Sequence, residues 1–182
     1  MAIRKQHQEI LQWVESFLRL NDLQRSRPLS EKEIKSWFEL KHKIEKALFS
    51  QVPPGEPAND KRRSLRVRNL HLPILFDNKL EQSEGWISEV SDGGLFILTP
   101  DPLPVGTRLD LFLKFPMTMV KSKNLQEKEM EFSAEVVFTH GGFGLGEKSF
   151  SGMGMKIEQN LSPSNQRQWF SFVDFLLQEA VE

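Results

Sequence analysis

Apolar residues follow two different periods along this chain, and the change from one to the other falls near residue 60. Ile10, Leu11, Val14, Phe17 and Leu18 make a stripe at helical spacing beside Trp13, which predicts a helix over 3–20. Ser30-Glu31-Lys32-Glu33 has the form of a capping box, in which the Ser30 hydroxyl accepts from the Glu33 N–H and the Glu33 carboxylate reaches back. Ile34, Trp37, Phe38, Lys41, Ile44 and Leu48 then recur at i, i+3, i+4 and i+7, the stripe of a second helix. The polar stretch from Asn21 to Leu29, with Pro28 near its end, is short enough to fold the two into a hairpin. Two such stripes cannot bury each other fully. The spare surface predicts contact with the following domain, a second copy or another protein.

From Val67 the period shortens to two. Short runs at about 68–77, 86–90, 94–99, 108–115, 131–139 and 152–158, punctuated by Gly and Pro, predict a small all-β sandwich or barrel. Phe115 to Glu131 is polar and rich in Lys and Glu, an exposed connection between strands, and His140 to Phe150 is a glycine-rich loop. Ser162-Pro163 supplies an N-cap and a proline at the first helical position. Trp169, Phe172, Val173, Leu176, Leu177 and Ala180 follow on one helical face, so a C-terminal helix is expected to pack on the β domain. Gln51 to Asp60 carries three prolines and a glycine, stiff and unsuited to helix or central strand. The expected organisation is thus a helical hairpin at 1–50, a Pro-rich linker at 51–60 and a β domain with its helix at 61–182.

Composition narrows the function. The 182 residues are 38% hydrophobic and 27% charged, ordinary for a soluble globular chain. The net charge of −1 supplies no global field toward nucleic acid or anionic lipid. Against that neutral background Lys61-Arg62-Arg63-Ser64-Leu65-Arg66-Val67-Arg68 is a local concentration of cations. It fits a small anionic ligand better than a duplex, which needs a broader basic face. Some twenty residues later Glu89-Val90-Ser91-Asp92-Gly93-Gly94 places carboxylates, a hydroxyl and two glycines in one turn ahead of the strand from Leu95. Arginine forks donate to a phosphate or to guanine O6 and N7, and a polar turn holds an anion or a base edge. The alternative for the basic run alone is a solvated strand edge that discourages edge pairing.

Together these segments resemble the PilZ domain family, whose signature is R-x-x-x-R followed by [D/N]-x-S-x-x-G. Arg62 and Arg66 fill the first half with Arg63 as an additional arginine, and Ser91 and Gly94 fill the second. Glu89 stands where the family has Asp or Asn; it keeps the charge and adds one methylene. The resemblance continues through Gly94-Leu95-Phe96-Ile97, Pro102 to Thr107 and Gly152-Met153-Gly154-Met155, and spans roughly residues 60–178. It implies a six-stranded antiparallel β-barrel with a C-terminal helix, here preceded by the helical hairpin, that binds the bacterial second messenger cyclic di-GMP. On this resemblance Arg62, Arg63 and Arg66 grip phosphate and guanine, while Glu89, Ser91 and Gly94 line the base pocket. It also implies non-enzymatic roles in motility, biofilm formation or virulence, with the arginines folding over the ligand and resetting the neighbouring region. Arg68 lies two residues beyond Arg66 and shares its strand face; it either joins the site or is solvated. An adaptor of the same fold that works through protein contacts without cyclic di-GMP is the alternative.

Catalytic and metal chemistry have no visible apparatus. With no cysteine there are no disulfides, thiolate nucleophiles or Cys-based metal sites, which fits a reducing compartment. His7, His42, His71 and His140 are scattered without ligand spacing, and no Ser/His/Asp arrangement or carboxylate pair has a recognisable context. The run Gly141 to Ser149 departs from a phosphate-binding P-loop because Glu147 separates the last Gly from Lys148, and it reads as a hairpin loop. No stretch approaches the ~18 apolar residues of a membrane span, and Met1 to Gln8 lacks a signal peptide's apolar core. The expectation is a cytoplasmic protein with no cofactor, no nucleic acid partner and no membrane insertion. Its N-terminal helices are left to a protein partner or a homodimer.

Overall fold

The computed structural model describes residues 2–49, 64–116, 118–119, 129–140, 151–158 and 161–181. The connector 51–60, Lys61 to Arg63, the loop Gly141 to Ser149 and most of the connection after Phe115 lie outside the described residues. The chain divides into two compact units, Met1–Val67 with Asp174–Glu182, and Arg68–Val173.

The first unit is helical. Helix α1 (Ala2–Ser26) and helix α2 (Glu31–Leu48) pack together, burying Val14, Phe17 and Leu20 from one and Trp37 and Ile44 from the other. The capping box forms as its spacing predicts: the Glu33 N–H donates to Ser30 Oγ at 3.4 Å and the Ser30 N–H donates to the Glu33 carboxylate at 2.8 Å. Helix α1 outruns its expected end at residue 20, reaching Ser26, and tertiary contacts explain why. Asn21, buried, accepts from Trp37 Nε1 at 3.3 Å. Arg25 forks two donors, at 2.7 and 3.0 Å, onto Asp174 in the last turns of helix α3 (Pro163–Glu179). Polar residues that read as a loop are thus helical here, with side-chain partners that favour that conformation. Lys41 follows the same logic, 4% exposed on the apolar stripe with Glu45 one turn on at 3.6 Å.

The second unit is a closed antiparallel barrel in the order β1-β2-β3-β6-β5-β4, with β4 pairing back to β1. Its strands are β1 (Leu72–Asp77), β2 (Gln82–Ser91), β3 (Gly94–Leu98), β4 (Arg108–Lys114), β5 (Glu129–His140) and β6 (Gly152–Ile157). Alternate residues point inward, as with Leu109, Leu111 and Leu113 on β4 or Met130, Phe132, Ala134 and Val136 on β5. Strand β1 starts later than its apolar pattern predicts because Asn69 takes a left-handed backbone (φ 61°), which interrupts extension. Strand β2 starts earlier, at Gln82, since its polar end still pairs with Asp77 across the hairpin. Two bulges shift the phase of alternation: between Ile87 and Glu89 on β2, and between Val136 and Phe138 on β5. The N-terminal part of α3 is capped by Ser162, whose hydroxyl accepts from the Asn165 N–H at 3.1 Å. In this unit it places Trp169 and Phe172 against Phe132 and Phe115.

Two glycines set how closely strands and rings approach on the outer face. A Cβ on Gly94 would strike the Met155 backbone carbonyl, and one on Gly154 would strike the Phe138 ring. A carbonyl in a paired strand cannot move aside, whereas a half-exposed ring can. Gly94→Ala should therefore destabilise the protein most, by about 3 kcal/mol, and Gly154→Ala by about 1 kcal/mol. Gly93→Ala, with open space around it, should stay within about 0.5 kcal/mol. Denaturant midpoints of the three variants check that ranking.

At the hairpin turn, hydrogen bonds from Arg27, then from the Ser30 backbone and hydroxyl, hold the Glu33 carboxyl down from its ordinary 4.5 to about 2. A depressed carboxyl contributes stability that is complete above 4.5 and lost as pH falls toward 2. Glu33→Gln should remove that part of the acid limb of unfolding, and added salt should shrink the difference because the group is open to solvent. Thermal midpoints across pH in low and high salt test it.

Candidate functional site

The motif residues that the structure describes lie at the end of the β2–β3 hairpin. Ser91 and Gly94 pair across a two-residue turn, Asp92-Gly93. Neither turn residue takes the left-handed backbone typical of tight hairpins. The turn is instead held from inside. The buried indole of Trp169 donates from Nε1 to the carbonyls of both Ser91 and Asp92, each at 3.1 Å. The next carbonyl, Gly93, accepts from the Ile157 N–H at 3.1 Å. Three successive carbonyls are thereby fixed by protein donors, and the Ser91 hydroxyl donates to the Gly94 carbonyl at 3.3 Å. Gly94 itself is required by packing on Met155, not by its backbone angle.

Glu89 owes its direction to the bulge. Ile87 points into the barrel and Val90 does too, three positions on instead of two, so Ser88 and Glu89 both fall on the outer side. The Ser88 carbonyl accepts from Leu70 N–H at 3.1 Å, which draws the segment before β1 alongside the bulge. There Arg68 comes to Glu89, Nε to Oε1 at 3.7 Å, with side chains 15% and 28% exposed. That is an ion pair longer than a hydrogen bond, partly shielded from water. Directly across β3 from Glu89 stands Phe96, then Gly154 on β6, then Phe138 on β5, with the two phenyl rings stacked at 5.6 Å. Earlier along β2, exposed Trp86 carries the His71 ring flat against it at 4.1 Å.

Of the six residues expected to bind ligand, Glu89, Ser91 and Gly94 are thus brought together on one hairpin. Arg62 and Arg63 lie outside the described residues, and Arg66 belongs to the first unit, half-buried between the buried Leu65 and Val67. Sequence reasoning left two features unassigned. Trp169 read only as a core anchor, although a buried indole N–H requires an acceptor and so signals a polar contact. Arg68 could be paired with Glu89 only once the strand register was known. A groove of about 440 Å³ on the β1–β4 side, lined by Pro73, Leu75, Phe112 and Lys114 among others, contains none of the motif residues. Among the described residues no group of three or more His, Cys, Asp or Glu is placed to hold a metal. No described helix is long and apolar enough to cross a membrane.

Comparison with known proteins agrees with the fold. The PilZ domain family model matches residues 60–175. No curated protein matches the sequence at a significant level. Among solved structures the chain is similar to the PilZ domain with c-di-GMP of YcgR from Escherichia coli, at 22% identity and a TM-score of 0.50 over 66% of this chain and 95% of that one. It is similar also to the K. pneumonia MrkH–c-di-GMP complex, at 19% identity and a TM-score of 0.51 over 66% of this chain and 54% of that one. The Bacillus subtilis inhibitor of motility MotI/DgrA aligns at 14% identity with a TM-score of 0.49, over 68% of this chain and 56% of that one. The chain thus spans only about half the length of the latter two proteins. With a signature at matching spacing, a six-stranded closed barrel ending in a helix, and a family match over most of its length, this chain belongs to the PilZ domain family.

Proposed function

We propose that this protein is a non-enzymatic cytoplasmic receptor for cyclic di-GMP, in which Arg62, Arg63 and Arg66 hold phosphate and guanine while Glu89, Ser91 and Gly94 form the base pocket. The observation that supports it most is the β2–β3 turn. Glu89 and Ser91 sit on the outer side of the barrel, on a hairpin end whose carbonyls Trp169 and Ile157 immobilise. A pocket fixed before the ligand arrives loses less entropy on binding. The ligand's two phosphates and two guanines call for forked cationic donors and a carboxylate acceptor, which are the side chains of the two motif halves. Each charge-assisted contact contributes about 1.5–3 kcal/mol. Two or three of them, with the turn, reach the ~8 kcal/mol of micromolar affinity. Arg62 and Arg63 directly follow the Pro-rich segment 51–60, which we take as the linker between the helical region 1–50 and the barrel region 61–182. Engagement of the arginines by ligand then changes which surfaces the helical region offers to its partners.

A second reading, an adaptor of the same fold that works without cyclic di-GMP, has one observation in its favour. Ile34 and Phe38 on α2 are 43% and 48% exposed beside a cleft of about 270 Å³ lined also by Gln24, Leu29 and Trp37. Such a surface suits a protein partner or a second copy of the chain.

Calorimetric titration with cyclic di-GMP separates the two. Saturable binding, weakened at least ~100-fold in the Arg62→Ala, Arg66→Ala variant, is the expected result. No heat and no thermal shift from a folded wild-type protein rejects the receptor reading in favour of the adaptor.

Trp169→Phe keeps an aromatic ring but loses the pyrrole half of the indole, and with it the donor to two carbonyls. It should lower stability by about 2–3 kcal/mol. Where the variant is still folded, it should also weaken cyclic di-GMP binding about tenfold, as expected for a pocket that must now be ordered by its ligand. Chemical unfolding and titration of the same preparation measure both.

A further inference from the structure

The family signature has a shorter acidic or amide residue at position 89. This chain has Glu89, and an arginine outside the signature, Arg68, stands against it at 3.7 Å. Two features of the backbone create that meeting. The bulge at Ser88 swings Glu89 outward, and the Leu70 N–H to Ser88 carbonyl bond at 3.1 Å keeps the segment carrying Arg68 beside it. Both side chains are more than two-thirds covered, so their interaction is less screened than that of a surface pair.

The pair has a chemical meaning of its own. A carboxylate offers two acceptors, and a guanidinium five donors in a rigid fork. Guanine presents two adjacent donors, N1–H and the N2 amine, and beside them the acceptor O6, with N7 further round the same base. A carboxylate on N1–H and N2–H leaves O6 next to it, where a guanidinium at ion-pair distance can donate. Adenine inverts this order: its N1 is an acceptor, which a carboxylate repels, and its N6 amine is a donor, which a guanidinium repels. The extra methylene of Glu89 carries the carboxylate further toward the guanidinium, and Arg68 offsets the repulsion that carboxylate would exert on the ligand's phosphates.

We propose that Arg68 and Glu89 act as one guanine-reading unit, in which Arg68 both positions the Glu89 carboxylate and donates to guanine O6, making Arg68 a specificity-determining residue. The proposal rests on the receptor reading above and adds to it a residue and a reason for discrimination. It also turns position 89 from a departure from the signature into half of a pair.

The test is titration of the full chain with cyclic di-GMP, and displacement of that ligand by cyclic di-AMP, for wild type, Arg68→Ala and Arg68→Lys. Thermal unfolding of each variant establishes that it is folded. Arg68→Ala should weaken cyclic di-GMP binding about 10–100-fold and narrow the preference over cyclic di-AMP by a similar factor. Arg68→Lys keeps the charge, and the fold if the alanine variant loses it, but lacks the fork; it should recover affinity more than preference. If the folded variants bind like wild type, or lose affinity for both dinucleotides equally, Arg68 does not read guanine, and the receptor reading stands without it. If wild type itself binds no cyclic di-GMP, both ideas fall together. The wild-type titration and the variant comparison therefore report the two failures separately.

Discussion

The candidate pocket depends on one buried hydrogen-bond donor. Trp169 has almost no contact with solvent, packs against Phe132 and Phe172, and must place its indole N–H somewhere. It places it on two consecutive carbonyls of the Ser91–Asp92 turn. A two-residue turn without left-handed backbone is not the conformation that best matches strand twist. The helix therefore supplies what the turn's own chemistry does not. The apolar core and the polar hairpin end are coupled through this residue: displacing the indole costs packing and leaves two carbonyls to find other donors.

The second constraint is the phase of β2. Pairing of β2 with β3 is regular up to Ile87 and resumes at Glu89. One extra residue keeps Val90 in the core while turning both Ser88 and Glu89 outward. In an unbroken strand, inward placement of both Ile87 and Val90 would be impossible, because alternation would send one of them to the surface. The bulge thus reconciles core packing with the outward direction of the Glu89 carboxylate. The irregularity on β5 leaves both Val137 and Phe138 exposed, and Phe138 lies across Gly154 in the same row as Glu89 and Phe96.

How much of this was legible in the sequence depended on the range of the interactions. The capping box and the Ser162 cap are legible because both are settled within four residues. The six strands and the helices α1 to α3 follow from periodicity, and the closed barrel from the resemblance. Errors arose where a distant partner decided a local conformation. Asn21 and Arg25 looked like loop residues, yet Trp37 and Asp174 make helix the better state. Leu70 and His71 looked like strand, yet Asn69 breaks extension just before them. A bulge leaves no mark in apolar spacing beyond one misplaced step, so the meeting of Arg68 with Glu89 could not be anticipated. The pairing partner of a residue is a property of register, and register is tertiary.

These placements divide the second half of the motif by what each residue does. Gly94 is there because the Met155 carbonyl leaves no room for a Cβ. The Ser91 backbone serves Trp169, and its hydroxyl already donates to the carbonyl of Gly94. Packing thus accounts for the glycine, whereas a backbone carbonyl sets no requirement on the Ser91 side chain. Glu89 is different: it carries a charge at the bulge, on the outer side, and that charge is partly withdrawn from water at some cost in solvation. A half-covered charge is tolerated where a partner compensates it, and Arg68 at 3.7 Å is one such partner. On the proposed reading, that carboxylate and the guanidinium beside it carry the charge chemistry of this hairpin, on a turn that Trp169 holds.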